Sequence, residues 1–281
     1  MPTMVEYLDR IAALCEQEGI ELILVKTPTT DFSEGQHNTL QQYAEEQDIA
    51  FYDFNEESLY NELDFDFNLD SKDYGHMNYS GAVKITNAIG AILSAEFGLR
   101  PHQDEQWEAA KIGYANALIN YELTGIVDLD EYLTVLKNNI DRYTIFIAAQ
   151  DEASSSLSET SQTLLQGLGL TADWTDAYRN SYCAVIDGGN ILVEAMSSDV
   201  LFFEGAFLDG SHTYSISSGG FYTGESCSIM LDMDGVDDVE YAQQVRGLNI
   251  VIYDNDSCLL VDSVSFDTYD WEYGVHRTSY Y

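Results

Sequence analysis

The sequence predicts an α/β segment followed by a mostly-β, α+β segment. Three observations predict it. Helix-period stretches alternate with short apolar runs over residues 1–100. Residues 101–139 carry helical periodicity alone. From residue 140 onward, strand-like runs are separated by turn sequences, with one short helix among them.

The elements follow in order. Val5, Leu8, Ile11, Ala12, Leu14 and Cys15 recur at helical spacing over 4–18, and Gly19 marks the stop. The apolar run 20–25 predicts a buried strand of the parallel type, and 49–52 predicts a second that ends at Asp53. Between them lie a loop at 27–33, with Pro28, and a helix at 34–47. Residues 54–75, acidic and aromatic, predict a loop. Ser80 is then expected to cap a helix carrying Ala82, Val83, Ile85, Ala88, Ile89, Ile92 and Leu93 on its apolar side. Helices around 107–121 and 129–138 read as a connector between two domains. In the β-rich segment, strands are predicted at 143–149, 213–217, 227–233, 248–253 and 259–266, with a helix at 158–168. A hairpin at 181–185 and 191–195 turns on Asp187-Gly188-Gly189-Asn190, and Asp254-Asn255-Asp256-Ser257 forms another turn.

Composition bounds the function. The 281 residues hold 11 basic and 49 acidic side chains, a formal charge of -38. Nucleic-acid backbones and anionic membranes need clustered Lys and Arg, so neither is an expected partner. The acidic surface reads as solubilising, with a cation-rich niche or divalent-ion binding as the alternative. No apolar run approaches the roughly 20 residues of a membrane span. Residues 1–6 show no basic stretch leading into an apolar core, so no signal peptide is expected there. Cys15, Cys183, Cys227 and Cys258 form no metal-ligand spacing. Isolated buried thiols are expected, with a Cys183–Cys227 or Cys227–Cys258 bridge left open. No metal or cofactor is expected. Asp64, Asp66, Asn68 and Asp70 alternate as in a calcium loop. Leu69 stands in the turn-glycine position and Gly75 where the last ligand would be, so a solvated acidic loop is the reading.

Two constellations carry chemistry. Serine hydrolysis needs a hydroxyl, a base for its proton, and a carboxylate that fixes the base's tautomer. Asp73 and His76, three residues apart on one loop, supply the last two. With Asn78, Gly81, Ala82 and the following helix, this D-x-x-H block resembles the closing block of SGNH (GDSL-like) hydrolases, especially the DltD-like, acyltransferase-like branch. Glu21–Pro28, Asp31-Phe32-Ser33 and His37-Asn38 extend the resemblance over about residues 1–100. It implies a partial flavodoxin-like sheet, His76 as general base, Asp73 as its orienter and Asn78 as a binding residue. The family's early G-D-S nucleophile block has no counterpart in the sequence. Asp209-Gly210-Ser211-His212 has suitable residue types but reads as a turn, and no G-x-S-x-G elbow is present. The isolated chain is therefore expected to be inactive.

In the β-rich segment, Arg246-Gly247-Leu248-Asn249 runs into a strand, and Val261–Thr268 follows. Together with Ile145–Ser154, Leu164–Gly169 and Arg179–Tyr182, these stretches resemble the ILEI/PANDER domain, an ILEI-like sandwich, in reversed order. The reversal reads as a circular permutation, which compact domains with close termini tolerate. Asp151 is expected to cap the helix that follows it. Arg179 and Arg246 are expected to pair with carboxylates, Asp151 or Asp267 among them. The alternative is a polar pocket in which Arg179, Arg246 and Asp151 read a sugar, as the resemblance implies. Trp174, Tyr178, Tyr182, Tyr214 and Tyr222 would then stack on sugar rings or, alternatively, fill the core.

The joint expectation is an esterase- or acyltransferase-related protein of the cell envelope. It would act on or bind a glycan or acylated polysaccharide, with an extracytoplasmic address by resemblance. The alternatives are a non-catalytic carbohydrate-binding module and, from ILEI itself, a signalling or adhesion protein.

Overall fold

The computed structural model describes residues 4–102, 104–233 and 236–280. It is mixed α/β, and it divides into two compact units, Met1–His102 and Gln103–Tyr281.

The first unit runs α1 (Met4–Glu18), β1 (Ile23–Lys26), α2 (Glu34–Gln47), β2 (Ala50–Asp53), α3 (Glu57–Leu63), α4 (Phe67–Asp70) and α5 (Tyr79–Glu96). Strands β1 and β2 pair in parallel, with Ile23 beside Ala50 and Lys26 beside Asp53. Phe54, Leu63, Phe65 and Ile85 form the core, flanked by Tyr60, Phe67, Ile89 and Ile92. No residue of α1 is buried.

Half of the predicted loop 54–75 is in fact helical. Its acidic residues serve as helix ends. Asp66 accepts from the Asn68 N–H at the start of α4, and Asp64 takes the left-handed conformation that ends α3. Asp70 is buried; it accepts from Ser80 Oγ at 2.6 Å and from Lys84 Nζ at 2.7 Å. Burial pushes its carboxyl up, but Lys84, Ser80 and the Asp66 N–H override that and hold it below the usual value. The α5 cap is Asn78, not Ser80, whose hydroxyl is committed to Asp70. Gly81 lets α5 lie on the Asp70 carbonyl, because an added Cβ would stand 2.3 Å from that oxygen.

The second unit begins with α6 (Glu105–Leu123) and α7 (Leu129–Asn138), then β3 (Tyr143–Asp151), α8 (Glu159–Gly167), β4 (Ser181–Asp187), β5 (Asn190–Ser197) and β6 (Leu201–Phe207). It continues with β7 (His212–Gly220), β8 (Ser226–Met233), β9 (Val236–Glu240), β10 (Gly247–Asp254), β11 (Leu259–Phe266) and β12 (Val275–Ser279). The expected connector helices are built into this unit. Leu123, Leu129, Tyr132, Leu133 and Leu136 lie in its core. Asn120 of α6 donates to Asp254 at 2.6 Å and accepts from Tyr143 OH at 2.7 Å.

One large sheet holds β3 to β12 in the order β12-β11-β10-β3-β7-β8-β9, with β4, β5 and β6 branching from it. Strand β3 is the branch point. Antiparallel β10 lies along one edge; antiparallel β4 pairs with Thr144–Ala148 on the other, and β7 runs parallel to Gln150 and Asp151 beyond it. Both faces of β3 are covered. Ile145 and Ile147 meet Tyr132, Leu133 and Leu165, whereas Phe146 and Ala148 meet Phe207, Ile216 and Ile229. A strand buried on both faces reads as an unbroken apolar run, which accounts for the pattern at 143–149. Strands β6, β9 and β12 were not expected. Gly205 interrupts β6 because the Tyr214 ring fills the space its Cβ would take. All four cysteines are free thiols; burial pushes those of Cys183 and Cys227 up to about 12.

Candidate functional site

In the first unit, the site lies at the carboxyl ends of the parallel strands, where open α/β sheets bind ligands. Asp73 and His76 meet there. His76 Nδ1 stands 2.7 Å from Asp73 Oδ1, and the same oxygen accepts from the Gly75 and His76 N–H groups at 3.0 Å each. A carboxylate cannot donate, so the imidazole proton sits on Nδ1 and Nε2 faces outward. The Gly75 N–H, then the His76 ring, hold the Asp73 carboxyl below its usual value. The pair is open to water, with side-chain exposures of 77% for His76 and 50% for Asp73.

The loop is anchored at Tyr74, whose carbonyl accepts from Thr29 Oγ1 at 2.8 Å and from the Thr30 N–H at 3.3 Å. A cavity of about 270 Å³ lined by Thr30, Phe67, Ser71 and Lys72 opens beside it. Among the described residues no hydroxyl hydrogen-bonds His76 Nε2. Asn78, expected to bind substrate, spends its amide on the fold instead. Its Oδ1 accepts from the Gly81 N–H at 3.1 Å and its Nδ2 donates to the Leu69 carbonyl at 2.6 Å. The Asp209–Ser211 stretch is a turn and His212 opens β7: Ser211 Oγ donates to the Leu208 carbonyl at 2.7 Å, and His212 meets Tyr253 OH at 2.9 Å.

A second pair was missed as a site. His37 Nδ1 stands 2.7 Å from Asp53 Oδ2. The signals in the sequence were the placement of Asp53 at a strand's carboxyl end and the His37-Asn38 stretch of the resemblance, and neither pointed to a pair.

In the second unit, Asp151, Arg179, Glu225 and Gln244 are non-glycine residues with left-handed backbone, at φ 62°, 63°, 50° and 55°. They gather around the end of β3. Asp151 sits beside Gly220 of β7, Gln150 beside Gly247 of β10, and Gln150 Nε2 donates to the Gln244 carbonyl at 3.1 Å. The Glu225 N–H donates to Gly220, while a Cβ on Gly220 would lie 2.0 Å from the Arg179 carbonyl oxygen. Such conformations cost about 1–3 kcal/mol each and persist where surrounding structure imposes them.

The side chains here depart from expectation in part. Asp151 caps no helix, since Ser158 caps α8. Burial, then the neighbouring Glu225, raises its carboxyl above the usual value against the pull of Arg246 and Arg179. Arg179 forms no ion pair among the described residues. Its guanidinium lies 3.7 Å over the Phe221 ring, near Tyr178 and Tyr222, and donates to Tyr222 OH at 3.1 Å. Its own N–H donates to buried Glu152, so the backbone satisfies the carboxylate and the guanidinium is left free of one. Arg246 does pair with Asp267, through Nε at 3.0 Å and Nη2 at 2.8 Å, and also reaches Asp270. Trp174, Tyr182 and Tyr214 are core residues, whereas Tyr178 and Tyr222 are exposed.

Among the described residues no cluster of side chains could hold a metal ion, and no helix is long and apolar enough to cross a membrane. Comparison with protein-family models, with curated proteins and with solved structures gives no match to this chain.

Proposed function

We propose that this protein belongs to the chemistry of acyl groups on carbohydrate at the cell envelope. The first unit is read as the closing part of an SGNH-type, flavodoxin-like sheet, and the second as a permuted ILEI/PANDER-like module. The observation that carries the reading is the Asp73–His76 pair at 2.7 Å, on a loop at the carboxyl end of a parallel sheet, with Nε2 unoccupied. In that arrangement Nε2 removes the proton of an attacking hydroxyl, and Asp73 steadies the imidazolium that results. The nearby hydroxyls of Ser80 and Thr29 are committed to Asp70 and to the Tyr74 carbonyl. Among the described residues no hydroxyl hydrogen-bonds His76 Nε2, so the reading takes water as the attacking group.

The test is p-nitrophenyl acetate hydrolysis. Without a serine to acylate, release of p-nitrophenol is slow and shows no burst. His76→Ala is expected to lower the rate about 100-fold, the lower end of general-base effects, and Asp73→Asn about tenfold. A rate unchanged by His76→Ala would reject the reading.

A second reading, a non-catalytic glycan-binding module, is favoured by the strained cluster around Asp151. It offers the raised Asp151 carboxyl, a guanidinium held over a ring, and the exposed Tyr178 and Tyr222. Polar groups beside aromatic faces suit a sugar ring. Glycan-array binding by the full chain should weaken at least about tenfold in Tyr222→Ala, a loss of roughly 1.4 kcal/mol. Binding that survives intact in Tyr222→Ala and Arg179→Ala would exclude this site.

A further inference from the structure

We infer that the first unit holds a second proton-accepting centre, His37 held by Asp53, whose ligand is the hydroxyl of a neutral polyol or sugar. Asp53 ends β2 and its side chain is only 4% exposed, while that of His37 is 22% exposed. The pair is therefore far better shielded from water than Asp73–His76.

The carboxylate is saturated. Oδ2 takes His37 Nδ1, while Oδ1 accepts from the Asn55 N–H at 2.9 Å and Asn55 Nδ2 at 2.7 Å. Asn55 is fixed in turn by the Thr29 N–H, which donates to its Oδ1 at 2.7 Å. His37 stands in the first turn of α2, where Ser33 and Gln36 form a capping box. Both ends of the pair are thus rigid, the imidazole proton is set on Nδ1, and Nε2 has Glu56 Oε1, at 3.4 Å, as its nearest polar contact.

Nε2 faces a shallow cavity of about 200 Å³ lined by Phe32, Ser33, Glu34, Asn55 and Glu56. Glu56 Oε1 is 3.4 Å from Nε2 on a half-exposed side chain. The carboxylates of Glu34 and Glu56 repel an anionic ligand, and no third metal-binding side chain joins His37 and Glu56 among the described residues. Phe32 offers an apolar wall for the C–H face of a polyol. A neutral hydroxyl fits these walls: it donates its proton to Nε2.

Joined to the acyl-transfer reading, on which this step rests, the centre selects the acceptor. The hydroxyl proton passes to Nε2, its oxygen forms a bond to the acyl carbonyl carbon, and the ester C–O bond breaks. The proton then leaves on the departing oxygen. Thr29 bridges the two histidine loops, donating from its backbone to Asn55 and from its hydroxyl to Tyr74.

Two measurements on the full chain test this, with glycerol as the probe. The first is nitrogen-15 NMR of the histidine rings in alkaline buffer. His37 should show the Nδ1–H tautomer, and its Nε2 signal should move on glycerol titration in the wild type but not in Phe32→Ala. The second is the product ratio from p-nitrophenyl acetate with glycerol present. His37→Gln should cut the glyceryl acetate share of the product about tenfold. A proton on Nε2, or a His37 ring indifferent to glycerol, overturns the inference, as does an unchanged product ratio. If His76→Ala leaves hydrolysis intact, the acyl-transfer reading fails by itself, and the NMR result alone decides the His37 site.

Discussion

Arg246→Ala is expected to destabilise the second unit by about 3–5 kcal/mol, because it strands a buried carboxylate. Asp267 has no exposed surface, and Arg246 covers it with two parallel hydrogen bonds. The Tyr269 and Tyr273 N–H groups complete its coordination at 3.2 and 2.9 Å. The same guanidinium lies over the rings of Tyr269 and Tyr273, so the substitution also removes two cation–π contacts. Burial pushes the Asp267 carboxyl up; Arg246 and the two N–H groups override it, and the net shift is downward. A lowered carboxylate contributes stability that is present above the unfolded pKa and lost as pH falls through the folded one. For the wild type that loss lies below pH 3.8. In Arg246→Ala only burial and the N–H groups remain, the carboxyl rises, and protonation relieves the stranded charge in mild acid. Urea denaturation at neutral and mildly acidic pH checks both parts. The destabilisation should be large near neutrality and shrink as pH falls. A cost that does not depend on pH would mean that lost packing, not the charge, dominates.

How much of this was legible before the structure depends on the range of the forces involved. Strand β3 was legible because burial on both faces leaves an unbroken apolar run, and the hairpin of β4 and β5 because Gly188 and Gly189 take positive φ in its turn. Asp73 and His76 were legible because both lie on one loop three residues apart. The Arg246–Asp267 pair was named as one of two options, and only the sheet register, with Leu248 beside Phe266, selects it over Asp151. Helices α3 and α4 were not legible, since their Asp residues look like a solvated run until Asp64 and Asp66 are seen as caps and Asp70 as a buried partner of Lys84. Strand β12 is polar because it is an edge strand whose Arg277 reaches in to Asp262, at 3.1 Å. The His37–Asp53 contact joins a helix to a strand sixteen residues away, and no local pattern records it. Arg179 misled because charge scarcity suggested an acidic partner, whereas the residue is held by aromatic faces.

The corner that holds Arg246 depends on its neighbour, and Gly247→Ala is expected to cost about 4 kcal/mol or more. Two effects add there. Gly247 has φ +105°, a region that L side chains rarely adopt, and a Cβ at this position would stand 2.0 Å from the Phe266 carbonyl oxygen and 2.9 Å from Asp267 Cα. The obstacle is backbone and cannot rotate away. Relief would require β10 to part from β11 where Leu248 pairs with Phe266, while Gly247 also pairs with Gln150 of β3. That displacement would carry Arg246 off Asp267 and disturb the left-handed Asp151 next to Gln150. Gly210→Ala separates the two effects. Gly210 also has positive φ, +82°, but nothing lies within 4 Å of its Cβ position, so only the conformational cost of about 1–2 kcal/mol applies. Thermal denaturation of both variants should therefore show a much larger fall in melting temperature for Gly247→Ala. Equal falls would show that backbone conformation alone governs the corner. The close approach of β10 to β11 would then have no part in presenting Arg246 and Asp151.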